Sequence, residues 1–257
     1  MLAQPDSHAN NDEPANRSLF NGYATLAGIK ASIVEGRVSG VWDEVAVQRF
    51  RDTLLGWLGN YEEQLVVIDT FCLMILWHSA FILLYTDVEH LEKATRRRDA
   101  DATGMMAKTH DLYPWANSSD GHRCAIHAVR ILHHAERLRV TAEPAIHVVH
   151  NIFIAGLVLH QYTKYVSGGG DRQQRQQQHM QGAHNELLEE FRFGARGVNS
   201  NSRGLSAAEG RWPGAGQAEI IERSTIFRCV DLLKRIGHGE RAREYAAELE
   251  SLIHEIE

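Results

Sequence analysis

Histidine is the residue type that most invites a chemical reading, because 15 of the 257 residues are His and six of them, His127, His133, His134, His147, His150 and His160, crowd two neighbouring segments. Imidazole is the commonest protein ligand for transition metals. His127 and His134 stand seven apart and His147 and His150 three apart, so two packed helices would be able to point four imidazoles at one another. A structural zinc site, however, takes Cys ligands or tight loop spacing, and a catalytic one adds a carboxylate in a pattern such as HExxH, which the chain lacks. These residues therefore read as histidines at the edge of a core. His110-Asp111, with His90 and Asp120, would suit a helical metal-dependent phosphohydrolase. The dipeptide sits beside Tyr113-Pro114 in what reads as a loop, where no helix would hold two ligands rigidly.

No GxSxG elbow, GxxxxGK[ST] phosphate loop, Gly-rich dinucleotide fingerprint or DDxxD-like acidic run occurs. No catalytic, cofactor-binding or metal-ligating residue is assigned, no cofactor is expected in this chain, and the chain is not expected to be an enzyme. A formal charge of −6 offers no broad positive field for nucleic acid. Arg96-Arg97-Arg98 is followed at once by Asp99 and Asp101, so it reads as the solvated end of a helix, favoured there by the macrodipole. Three distant cysteines and no CxxC suit a reducing compartment. The N-terminus has neither the apolar core of a secretory signal nor the Arg-rich character of a transit peptide, which leaves cytosol or nucleus. The apolar run from Leu65 to Tyr85 is interrupted by Asp69 and His78, and a central Asp costs on the order of 3 kcal/mol in a bilayer, so no membrane span is expected.

The elements that must carry these residues are helical. Residues 1–38 read as a disordered polar tail, with structure beginning near Trp42. Val47, Phe50, Leu54 and Leu58, widened by Trp57, form one amphipathic stripe. Residues 65–92 read as one long helix, apolar on nearly every side over its first two-thirds. A second helix, over about 120–140, places Cys124, Ala128, Ile131, Ala135 and Leu138 on a narrow seam, with Ser118, Ser119 or Asp120 as its N-cap. Pro144 suits the first turn of a third, and residues 146–159 should join 71–84 as the buried centre. Residues 167–218 hold two Gln- or Gly-rich stretches around a short helical piece at Leu187–Phe191, and first cleavage by a protease is expected in Ser167–Gly182 or Gly194–Gly216. Ile226, Val230 and Leu233, then Tyr245, Leu249, Leu252 and Ile256, flank Gly237-His238-Gly239 and read as a helical hairpin. With no β-type alternation, the fold class is all-α: an irregular helical bundle with a disordered N-terminal tail and low-complexity linkers. Its divisions are a tail over 1–38, a core over 39–166, a linker over 167–218 and a hairpin over 219–257 that packs on the core.

Leu76-Trp77-His78, in ILWHSAFILLYTDVEHLEKATRR, resembles the fungus-specific transcription-factor domain, the middle homology region found in fungal zinc-finger proteins. CAIHAVRILHHAERL is similar to that domain's next helix, PAIHVVHNIFIAGLVLHQYTKY to the apolar helix after it, and VDLLKRIGHGERAREYAAELESLI to its closing pair. Together these span Trp42 to Ile256. The resemblance implies an all-helical regulatory domain in a nuclear protein, with transcriptional regulatory proteins or a second copy of itself as partners. In such relatives a zinc finger reads DNA. No finger spacing exists here, so DNA contact and zinc are expected to be family properties that this chain does not carry, whether it is a truncated gene product or a finger-less relative. The competing reading is a helical metal-dependent hydrolase built on the His-rich helices.

Overall fold

A computed structural model describes residues 12–40, 42–67, 69–96, 112–138, 144–166 and 215–254, with side chains for nearly all of them. The described residues are all-α, as the apolar periodicity predicts. In chain order the helices are α1 (Asp12–Val38), α2 (Glu44–Val67), α3 (Leu73–Tyr85), α4 (Val88–Arg96), α5 (Tyr113–Ala116), α6 (Ser119–Glu136), α7 (His147–Val166), α8 (Ala215–Ile236) and α9 (Glu240–His254). None of them is long and apolar enough to cross a membrane.

The largest correction is at the N-terminus. Residues 12–38, expected within a disordered tail, are helical, and Leu19, Leu26 and Ile33 are buried. Spaced by seven, they form a thin seam that α2 and α3 cover together, which explains why so polar a segment orders. Residues 1–11 lie outside the described residues. α1 forms an antiparallel hairpin with α2: the Trp57 indole donates to the Gly22 carbonyl at 3.0 Å, and Trp42 and Phe50 stack beneath Gly36.

The expected long helix over 65–92 is three helices. Asp69 ends the run: its carboxylate accepts from the Leu73 and Met74 amides at 2.6 and 3.1 Å, capping α3. Cys72 turns the chain in the left-handed region, φ 52°, which costs a non-glycine residue about 1 to 2 kcal/mol. Asp87 repeats the capping at α4, accepting from the His90 amide at 3.1 Å. The apolar composition hid both breaks, since a buried helix and its buried corner are equally hydrophobic.

α3 lies at the centre. Its Trp77 indole donates to the Leu54 carbonyl of α2 at 2.9 Å. Arg37 of α1 donates to the Leu83 and Leu84 carbonyls at 2.7 and 2.6 Å, satisfying the C-terminal end of α3. α6 crosses α3 on the other side with its predicted seam inward, since Cys124, Ala128, Ile131 and Ala135 are fully buried and Leu138 packs at the edge. Ser118 is its N-cap and accepts from the Gly121 amide at 3.1 Å. The loop predicted around Pro114 is the short α5 instead. A Cβ on Gly121 would lie 2.3 Å from the Trp115 carbonyl oxygen, so the corner between α5 and α6 closes only because residue 121 has no side chain.

α7 begins at His147, three residues after Pro144 rather than around it. Ile152, Phe153, Ala155, Leu157 and Val158 are fully buried, while Ile146, expected inside, is 89% exposed because it precedes the helix. The hairpin of α8 and α9 packs on α7, with Cys229 and Leu249 against Gly156. Residues from α1 to α9 share one hydrophobic core. Of the expected linker, residues 215–218 open α8, and 167–214, with the helical piece at 187–191, lie outside the described residues.

Candidate functional site

The histidines are brought into two separate places. His127 and His134 of α6 face His78 of α3: the Nδ1 atoms of His78 and His127 are 2.9 Å apart, and the rings of His78 and His134 lie 5.5 Å apart. One Nδ1 must donate and the other accept, so the accepting ring of the pair is neutral. Phe81 stacks on His127 at 4.6 Å and 4°, and Trp77 meets His78 edge-on at 4.9 Å. Burial, reinforced by His127, His134 and Arg130, holds His78 well below the usual imidazole value. Burial, with His133, Arg130 and Arg137 adding to it, pushes His134 down to about 4.

His147 and His150 of α7 go elsewhere. The His147 Nε2–H donates to the Cys72 carbonyl at 3.1 Å, below the Tyr23 ring. Burial pushes it down to about 4, and the Lys30 ammonium acts in the same direction. His150 meets the Tyr245 hydroxyl of α9 at 3.2 Å. The imagined four-imidazole constellation is therefore divided between the α3–α6 crossing and the α1-facing and α9-facing sides of α7. Among the described residues no group of three or more His, Cys, Asp or Glu is placed to hold a metal ion. His160 is buried in α7, and His133 lies beside His134 at the edge of the crossing, with ring centres 6.0 Å apart.

The second proposed ligand set is also dispersed in its roles. Asp120 pairs with Arg123 at 3.5 Å in the first turn of α6. His90 lies in the first turn of α4, its amide held by Asp87. His110-Asp111 and Arg97-Arg98 lie outside the described residues. Cys72, Cys124 and Cys229 are buried and free. Burial pushes the Cys229 thiol up to about 12 and Cys124 well above its ordinary value, which suits packing rather than nucleophilic attack.

The sequence reading missed Lys30, because it lay in the expected tail. Its ammonium donates to the Ser79 hydroxyl at 2.8 Å, and Ser79 passes its own hydrogen to the Leu76 carbonyl at 2.8 Å. Burial pulls the Lys30 ammonium down to about 8, with no carboxylate offsetting it. The signal that would have found it is the seven-residue spacing of Leu19, Leu26 and Ile33. A Ser–Lys pair suggests acyl transfer, but Ser79 lies in mid-helix, where the backbone amides of α3 are spent on helical bonds and none is left for an oxyanion. An open groove of about 540 Å³ runs beside Lys30, lined by Ala31, Val34, Glu35, Val38, Ser39 and Leu83. Another, of about 740 Å³, follows the charged face of α2 from Glu44 to Thr53.

No family model, curated protein or solved structure matches the chain.

Proposed function

We propose that the chain is a regulatory and interaction module of the fungal transcription-factor type, acting in the nucleus on transcriptional partners, with DNA recognition a property of the family that this chain does not carry. One observation supports this reading above the others. The polar residues of the LWH segment and of CAIHAVRILHHAERL are spent on joining helices: Trp77 donates to Leu54, and His78 pairs with His127 under the stacked Phe81 ring. A sequence resemblance whose polar members fix a helix crossing is that of a scaffold, and scaffolds of packed helices with polar outer faces act by presenting surface.

The absence of DNA recognition is tested by titrating the full chain into labelled random and promoter-derived duplexes, followed by fluorescence anisotropy at two salt concentrations. Phosphate neutralisation supplies most non-specific affinity, and a net charge of −6 opposes it. The expected result is binding no tighter than about 10⁻⁴ M at physiological salt, without sequence preference. Sub-micromolar, sequence-dependent binding would overturn the reading of this chain as a regulatory module without DNA recognition.

A further inference from the structure

We propose that α1 is a self-association surface, pairing antiparallel with α1 of a second copy of this chain through Phe20, Ala24, Ala27, Ala31, Val34 and Val38. The inference rests on the shape and chemistry of α1 and holds whether or not the chain regulates transcription.

The stripe follows from the spacing. These six positions succeed one another by four, three, four, three and four residues, the 3.5-residue period that keeps a seam in register with a facing helix. On α-helical geometry all six lie within about 40° of one line along α1. The buried seam of Leu19, Leu26 and Ile33 runs about a third of a turn away, so α1 carries two apolar faces and the fold covers one. Phe20, Val34 and Val38 are 56%, 45% and 84% exposed, where a helix face turned only to water carries polar residues. Ala24 and Ala31 are exposed and Ala27 is half-buried. Phe71 of α3 extends the stripe at one end, its ring centre 6.2 Å from that of Phe20. At the other end Leu83 of α3 walls a shallow apolar groove with Val34 and Val38.

The partner follows from the order of sizes and charges. A twofold axis at the level of Ile29 brings Phe20 of one copy against Val38 of the other, Ala24 against Val34 and Ala27 against Ala31. Each contact then occurs twice, as an isologous dimer requires. The smallest residues meet at the centre, where two crossing helices come closest, and larger ones fill the ends, where they diverge. Glu35, exposed beside the stripe, sets the direction. A parallel pair would hold the two Glu35 carboxylates side by side, whereas antiparallel pairing separates them by about twelve residues, a rise of roughly 18 Å. Opposed macrodipoles favour the same direction. The stripe is about 27 Å long, and two copies laid along it would cover on the order of 1,000 Å² in all, the small end of specific interfaces. The dimer is therefore a weak one.

The test is sedimentation equilibrium of the full chain from about 1 to 200 μM, a range suited to a small interface. Wild type is compared with Ala31→Glu and Ser32→Glu, since both positions are exposed and only the first lies on the stripe. Reversible association from monomer to dimer is expected, weakened at least about tenfold by Ala31→Glu, as covering an unpaired carboxylate implies, and unchanged in Ser32→Glu. Mild oxidation reads the direction: Ala24→Cys mixed with Val34→Cys should give a disulfide-linked dimer that neither variant gives alone. A wild type that stays monomeric throughout would overturn the proposal, and slow thiol labelling of Val34→Cys in that monomer would assign the stripe to another segment of this chain. Association undiminished by Ala31→Glu, or cross-linking of either cysteine variant alone, would overturn it as well.

Discussion

Two buried imidazoles at the crossing of α3 and α6, and a third across α3 from them, set how the molecule responds to acid. His78, His134 and, on the other side of α3, His147 are all held below the ordinary value near 6.5, mainly by burial. A base whose folded value is lowered is protonated first in the unfolded chain. Its contribution to stability is therefore complete above pH 6.5 and is lost as pH falls towards about 4, the value for His134 and His147. The urea midpoint should fall steadily between pH 6.5 and 4. His134→Leu, which removes one of these protonations and keeps the volume, should retain more of its neutral-pH stability at pH 5 than the wild type does. A midpoint unchanged from pH 7 to 4.5 would show that the crossing admits protons without opening. Sequence alone showed that histidines were plentiful in two segments but not which would meet, since the partner of His127 and His134 is His78, in a third segment.

At the scale of elements, the readings that succeeded are those with a strong period. The seam of α6 from Cys124 to Ala135, the apolar α7 and the α8–α9 hairpin about Gly237 stand where the 3.6-residue pattern placed them. Those that failed turn on tertiary cover or on a single capping side chain. α1 orders because α2 and α3 cover a thin stripe, and the run from Leu65 breaks because Asp69 caps α3 from within an apolar context. Two substitutions test the packing. Leu157 is fully buried on α7, so Leu157→Ala should cost about 2 to 5 kcal/mol in chemical denaturation, and a loss below about 0.5 kcal/mol would mean that this face is not core. Gly121→Ala should cost about 1 to 3 kcal/mol, because the new methyl group would press on the Trp115 carbonyl. That outcome reverses the gain of about 1 kcal/mol that alanine brings to a helix elsewhere, so a stabilised variant would show that the α5–α6 corner is looser than described.

For the whole molecule, one hydrophobic core joins the N-terminal hairpin, the central α3, α6 and α7, and the C-terminal hairpin. A regulatory module of the kind proposed would act through its outer surface, and its output would depend on the core only in so far as the core holds that surface in shape. The all-α class was legible because period and length sufficed, whereas the proposed function would rest on surface complementarity, to which no residue spacing gives a key. The most direct measurement ties the full chain to an unrelated DNA-binding domain in a fungal cell and reads a reporter gene carrying that domain's site. The account predicts a reproducible change in reporter output relative to the DNA-binding domain alone, lost when Leu157→Asp disrupts the core while the fusion remains present in the nucleus. Reporter output indistinguishable from that of the DNA-binding domain alone, with the fusion folded and nuclear, would contradict it.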